Sequence, residues 1–268
     1  MTSERAYADG KLIARRENGL GWLIINNPER RNALSLAMWQ GVTEIVREFE
    51  ADPEVRVIVL KGEGEKAFTA GADISRFEIE RGTPEGVKAY EAATSDAYAA
   101  VRHAAKPTIA RVHGFCMGGG MAMAICCDLR VAETGAVFGI PAARLGVGYG
   151  YDAVKTLVDL IGPSFTKEVL FTARQFTAQE AAAMGLINRA VAPEALDHTV
   201  AEMAARIAEN APLTIKAVAT AVDDILRDPS QRDRAAVDRL VSECFASQDF
   251  QEGRTAFLEK RKPKFRGV

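Results

Sequence analysis

Val112-His113-Gly114-Phe115-Cys116-Met117-Gly118-Gly119-Gly120-Met121-Ala122-Met123-Ala124-Ile125-Cys126-Cys127-Asp128 is the stretch whose reading decides the fold. An apolar run, Ile109 to Val112, leads into it and ends at His113-Gly114. Gly118, Gly119 and Gly120 follow, then an apolar segment from Met121 to Cys127. The order reads as strand, turn, helix. Glycines at a helix start permit backbone angles that a Cβ forbids. They also leave the first amides of the helix unpaired, at the positive end of its dipole. Such a place suits a negatively charged oxygen. A strand-to-helix crossing that needs glycine only for packing accounts for the same residues, and at this point both readings stand.

A second stretch repeats the logic. Lys66-Ala67-Phe68-Thr69-Ala70-Gly71-Ala72-Asp73-Ile74 follows an apolar run from Val55 to Lys61. Small residues after a buried strand again expose backbone amides, and donors from two separate loops can converge on one carbonyl oxygen. The pair KAFTAGADI and HGFCMGGGMAMAICCD, in this order and at this separation, resembles the crotonase (enoyl-CoA hydratase/isomerase) superfamily. The resemblance extends over nearly the whole chain. It implies an α/β fold, a β-β-α spiral core over residues 1–195 that carries an acyl-CoA site. It also implies a C-terminal helical region, 196–268, that packs on neighbouring subunits of a homotrimer or hexamer. In that family the two loops form an oxyanion hole for a thioester carbonyl. By position, its donors here are the backbone amides of Ala72 and Gly119.

The composition sets the outer limits. With 268 residues the chain can bury a sizeable core in one large domain, with or without an appendage. A net charge of −2 supplies no general basic field, so no nucleic-acid partner is expected. No apolar run is long enough to span a bilayer. The first residues, MTSERAYADGK, lack the apolar core of a secretion signal, and a cytoplasmic location is expected. The four cysteines, Cys116, Cys126, Cys127 and Cys244, read as core or loop thiols rather than a disulfide framework. Three histidines and scattered carboxylates show no metal-ligand spacing. No cofactor is expected beyond the coenzyme A of the substrate.

Along the chain, Lys11 to Arg16 and Gly21 to Ile25 read as strands. Ser35 caps a helix to about Glu50, with Leu36, Trp39, Val42, Ile45, Val46 and Phe49 on one face. Arg76 to Ala105 is helix-rich with a break near Gly82-Thr83-Pro84, and short strands are expected at Leu129–Ala132 and Ala136–Phe138. Ala153 to Ile161 is a helix that Gly162-Pro163 should end, and Asp152 should cap it. Thr177-Ala178-Gln179-Glu180 is a capping box, Leu186 to Val191 a strand, and the pattern after Pro193 is all helical. Strands alternating with helices argue an α/β architecture.

The resemblance assigns further positions to coenzyme A. Arg30, in Pro28-Glu29-Arg30-Arg31-Asn32-Ala33-Leu34, is a candidate phosphate partner. Ala70, Ala72, Asp73 and Ile74 belong to the loop that holds the thioester arm. Phe257 and Lys260, in the basic tail, would approach the adenine and phosphates. Many hydratases carry a lysine directly after GADI; here Ser75 and then Arg76 follow.

At the acid/base positions the sequence departs from the hydratase pattern. The family uses two glutamates to activate water and move its proton. The matching residues here are Ala122 and Ala142, whose methyl groups do neither. The reaction expected is therefore variant hydration, isomerisation, decarboxylation or thioester hydrolysis, the alternative being a non-catalytic acyl-CoA-binding homologue. Tyr149 stands where related decarboxylases carry a tyrosine, and its hydroxyl can hydrogen-bond a carboxylate or protonate an enolate. Tyr151, Asp152, His113, Glu78 and Glu80 are the other candidates, and Arg144 is a candidate partner for an acidic acyl group.

Overall fold

The computed structural model describes residues 2–268. The chain divides into two compact units, one ending at Ala201 and one running from Glu202 to Val268. In the first unit, β1 (Ser3–Tyr7), β2 (Leu12–Glu17) and β3 (Leu20–Ile25) form an antiparallel meander. Then come α1 (Leu36–Ala51), β4 (Val57–Gly62), β5 (Ala67–Thr69), α2 (Phe77–Arg81) and α3 (Pro84–Arg102). Next are β6 (Thr108–Val112), β7 (Phe115–Met117), α4 (Gly119–Cys126), β8 (Leu129–Glu133) and β9 (Val137–Gly139). The remainder is α5 (Ala142–Leu145), α6 (Tyr151–Thr172), β10 (Phe176–Thr177), α7 (Ala178–Ala183), β11 (Arg189–Val191) and the start of α8 (Leu196–Ala208).

The strands alternate between two sheets. The larger has the order β1-β2-β3-β4-β6-β8-β11 and is parallel from β3 onward. The smaller has the order β10-β9-β7-β5, with β5, β7 and β9 parallel. Each of β4, β6 and β8 in the large sheet is followed by β5, β7 or β9 in the small one, and then by helix. This is the β-β-α spiral. Strands β3 and β4 are almost wholly buried and read as continuous apolar runs, as parallel strands covered on both faces do.

The helices obey their local signals. Ser35 Oγ accepts from the Met38 amide and caps α1, whose buried face is Met38, Trp39, Val42, Ile45, Val46 and Phe49. Thr177 and Glu180 form the reciprocal capping box of α7. The structure differs from the sequence reading at β1 and at Asp152. The edge strand β1 had no apolar alternation to announce it, and four of its five residues are exposed. Gly162-Pro163 ends a helical segment as expected: Gly162 is non-helical at φ +73° and ψ 168°, so α6 is two helices that meet at a kink there. Asp152 lies in the first turn of α6, whose cap position is Gly150; an acid there still faces the positive end of the helix.

In the second unit, α9 (Pro212–Ile225) packs against α10 (Arg234–Ala246), which is followed by α11 (Gln248–Leu258). Asp249 accepts from the Arg266 and Gly267 amides at 2.7 and 2.8 Å and pins the tail to α11. No helix among the described residues is long and apolar enough to cross a membrane.

Candidate active site

The spiral brings the ends of β5 and β7 side by side. Leu34 locks the first loop: its amide donates to Gly71 O at 2.7 Å and its carbonyl accepts from Asp73 N at 2.9 Å. Between those two bonds the Ala72 amide faces the other way, and it has no hydrogen-bond partner among the described residues. At the start of α4, Gly118 supplies no side-chain cap, and the amides of Gly119 and Gly120 are likewise unpartnered. Gly71, at φ +87°, is what lets the loops meet. A Cβ there would lie 2.7 Å from Gly119 N and 2.9 Å from Met117 O. Gly120 is the second close approach, since its Cβ would lie 2.5 Å from Thr69 O.

Asn32 holds this loop from behind. It is fully buried with φ +57°, a conformation asparagine tolerates. Its Oδ1 accepts from Asn27 N at 2.9 Å, and its Nδ2 donates to Glu63 O and Ala67 O at 2.9 and 2.7 Å. Its own carbonyl accepts from Thr69 Oγ1 at 2.7 Å, and Thr69 Oγ1 accepts from Gly71 N at 3.0 Å. One buried side chain thus ties three segments beneath the amide pair.

Both alanines lie beside the amides. Gly119, Ala122 and Cys126 follow one another at helical spacing and share a face of α4. Ala142 opens α5 next to Pro141, whose ring is 4.0 Å from where a Gly118 Cβ would stand. Hydroxyls and a thiol occupy this region. The Tyr98 hydroxyl donates to Gly119 O at 3.1 Å, and its ring stands edge-on to Trp39 at 5.3 Å. Burial pushes the Tyr98 hydroxyl well above its ordinary pKa, and neighbouring Tyr149 and Cys126 push the same way. Tyr149 is half-buried against the core, and desolvation, then Cys126, pushes its pKa to about 12. Its hydroxyl makes no hydrogen bond among the described residues. Tyr98 went unnoticed in the sequence because nothing local marks it; it meets Gly119 only through the packing of α3 on α4.

The other candidates fall into place one by one. Glu80 is buried, but its carboxylate is engaged by the Leu36 amide at 3.0 Å and by Arg76 Nε at 2.6 Å. It is therefore not a spare base, and Arg76 is not a free phosphate ligand. Glu78, Arg144 and Asp152 are exposed, and Tyr151 is 82% exposed. His113 is buried and accepts from Arg111 Nη1 at 2.8 Å, while Arg111 Nε bonds Asp197 at 2.6 Å, so the imidazole belongs to a structural network. Burial, then Arg111, lowers its pKa. Asp73 caps the turn Ile74–Arg76 by accepting from Ser75 N and Ser75 Oγ at 3.1 and 2.6 Å. Ala70 is half-buried, Ile74 is 63% exposed and Arg30 is fully on the surface. Phe257 and Lys260 are exposed on the second unit. Cys116, Cys126 and Cys127 are buried free thiols, and among the described residues no cluster of side chains could hold a metal.

A spiral of β-β-α units whose two loops present unpartnered amides is a distinctive arrangement, and the sequence profile of the enoyl-CoA hydratase/isomerase family matches residues 15–268. The chain belongs to that family. It is 36% identical to the short-chain-enoyl-CoA hydratase of Clostridium acetobutylicum, over 94% of this chain and 95% of that one. It is 35% identical to the crotonyl-CoA hydratase of Syntrophomonas wolfei, over 95% and 97%. A crystal structure of an enoyl-CoA hydratase/carnithine racemase from Magnetospirillum magneticum superposes with a TM-score of 0.90, at 36% identity, covering 98% of this chain and 97% of that one. In this chain a pair of desolvated hydroxyls, Tyr98 and Tyr149, lies next to Ala122 and Ala142.

Proposed function

We propose that the chain is an acyl-CoA enzyme whose Ala72 and Gly119 amides hold a thioester oxygen while the carbon beside it carries enolate charge. The observation behind this is the contact between the two loops: backbone donors without partners, held together by a glycine that no other residue can replace without moving them. Such fixed donors act without reorganising as charge develops. In this reading Arg30, Ala70, Asp73, Ile74, Phe257 and Lys260 meet the coenzyme A portion, and the helices of the second unit pack between subunits of a trimer or hexamer.

The proton chemistry is carried by hydroxyls. A tyrosine pushed to a pKa of about 12 stays protonated near neutrality. It can give a proton to an enolate but does not take one. No carboxylate stands at the two family positions, and Glu80 is already engaged. Among enolate reactions, decarboxylation fits this set, because it needs no base. The bond from Cα to the carboxylate breaks, its electron pair spreads onto the thioester oxygen, and carbon dioxide leaves. The enolate carbon then takes the Tyr149 proton, and solvent restores the tyrosine. The two alanines also favour a second reading, a homologue that binds acyl-CoA without turning it over.

The test is to add crotonyl-CoA, and separately malonyl-type thioesters, to the protein and to an Ala122→Glu/Ala142→Glu double variant. The expected result is no loss of enone absorbance with wild type, carbon dioxide release from a malonyl-type thioester, and hydration gained by the double variant. Robust hydration by wild type overturns the hydroxyl assignment. Binding without any turnover selects the second reading.

A further inference from the structure

Arg81 is the last residue of α2, and it lies over two aromatic rings, 3.7 Å from the Tyr90 centroid and 4.2 Å from the Phe77 centroid. Its Nε is buried and has no hydrogen-bond partner. It makes no ion pair among the described residues. The adjacent carboxylate, Glu80, is spent on the Leu36 amide and on Arg76. Glu78 and Glu85 are exposed. Withdrawing part of a guanidinium from water without an acceptor is costly, and a buried orphan donor calls for an explanation. Stacking on Tyr90 and Phe77 orients the plane of the group, and the Tyr90 hydroxyl feels the guanidinium, but Nε keeps no acceptor.

The surroundings tie Arg81 to the amide pair. Tyr90 OH accepts from Trp39 Nε1 at 2.8 Å and donates to Leu34 O at 3.3 Å, the same carbonyl that accepts from Asp73 N. Trp39 in turn lies 3.4 Å from where a Gly119 Cβ would stand. Phe77 follows the Asp73-capped turn directly. Arg81 is thus linked to the first loop through Tyr90 and the Leu34 carbonyl, and to Gly119 through Tyr90 and Trp39. Its charge is felt at the Tyr98 hydroxyl, where it opposes the upward push of burial.

We propose that Arg81 binds a carboxylate at the far end of the acyl chain, so that the thioesters this site prefers are those of dicarboxylic acids. The inference rests on Ala72 and Gly119 as the thioester site and holds whichever enolate reaction follows there. A planar guanidinium locked by two rings presents its free edge to a carboxylate as a fork.

The test measures binding with two thioesters of similar reach that cannot decarboxylate, glutaryl-CoA and butyryl-CoA, to wild type, Arg81→Met and Arg81→Lys. Glutaryl-CoA should bind wild type about 10-fold or more tightly than butyryl-CoA. Arg81→Met, which keeps apolar cover on Tyr90 and Phe77, should erase that preference and leave butyryl-CoA affinity unchanged. Arg81→Lys should keep part of it. Equal affinities in wild type, or a preference that survives in Arg81→Met, overturn the proposal. Failure of both thioesters to bind wild type overturns the acyl-CoA reading of the site, and this inference with it.

Discussion

Gly71→Ala is the sharpest probe of the site. The new methyl group would meet Gly119 N at 2.7 Å and Met117 O at 2.9 Å, both backbone atoms that cannot swing aside. Going from 2.7 Å to an ordinary 3.4 Å contact parts the loops by about 0.7 Å. The backbone at φ +87° adds a penalty of roughly 1–2 kcal/mol for any residue with a Cβ. The distance is what matters for function. Misplacing a positioned group by about 1 Å costs on the order of 10²-fold in rate, and losing one oxyanion donor costs about 10²–10³. The variant should therefore turn over thioester roughly 10²-fold more slowly, while its melting temperature falls by only a few degrees, at about 2–4 °C per kcal/mol for a chain of this size. Steady-state kinetics and a thermal melt decide the matter, with Gly135→Ala as control, since its Cβ meets only Glu133 Oε1 at 3.7 Å. A folded Gly71→Ala protein with wild-type kcat/KM would refute the claim that contact between these loops builds the site.

Three further outcomes are expected. Tyr149→Phe should lower kcat by about 10²–10⁴ with thioester affinity retained, and the wild-type rate should show no tyrosine ionisation through pH 9, because burial lifts that hydroxyl to about 12. A rate that falls with an apparent pKa of 8 to 9 in wild type but not in Tyr149→Phe would contradict this. Asn32→Ala removes three hydrogen bonds from a fully buried side chain and should cost about 2–4 kcal/mol, read as a lower urea midpoint with an unchanged slope. His113 has a pKa depressed below its ordinary 6.5 by burial and by Arg111, so the unfolded chain takes up the proton first. Its contribution is present above pH 6.5 and lost as pH falls below it, and urea titrations at pH 7 and 5 should converge toward each other in His113→Asn.

The backbone of the site was legible because glycine and small residues are required where amides must stay bare. Gly71, Gly118, Gly119 and Gly120 stand in the two stretches that announce the fold, and no tertiary information is needed to read them. Caps were legible for the same local reason: Ser35 and Thr177 act within three residues of themselves. Side chains that reach the site from elsewhere were not. Tyr98 meets Gly119 across 21 residues, and Asn32 reaches Ala67 across 35. Arg81 looks like an ordinary last-turn cation until Tyr90 and Phe77 are seen beneath it. The two alanines expose the asymmetry most clearly. A missing carboxylate can be read at a known place in a motif. Its replacement is any hydroxyl that the packing of another helix or loop brings to the same face of α4, and the chain numbering of that residue is free. In the proposed reaction the amides define where charge forms, and they are fixed by local sequence. In the same proposal the group that delivers the proton is set by how α3 and the loop before α6 close over them, so variation in chemistry on this scaffold should concentrate at positions such as Tyr98 and Tyr149.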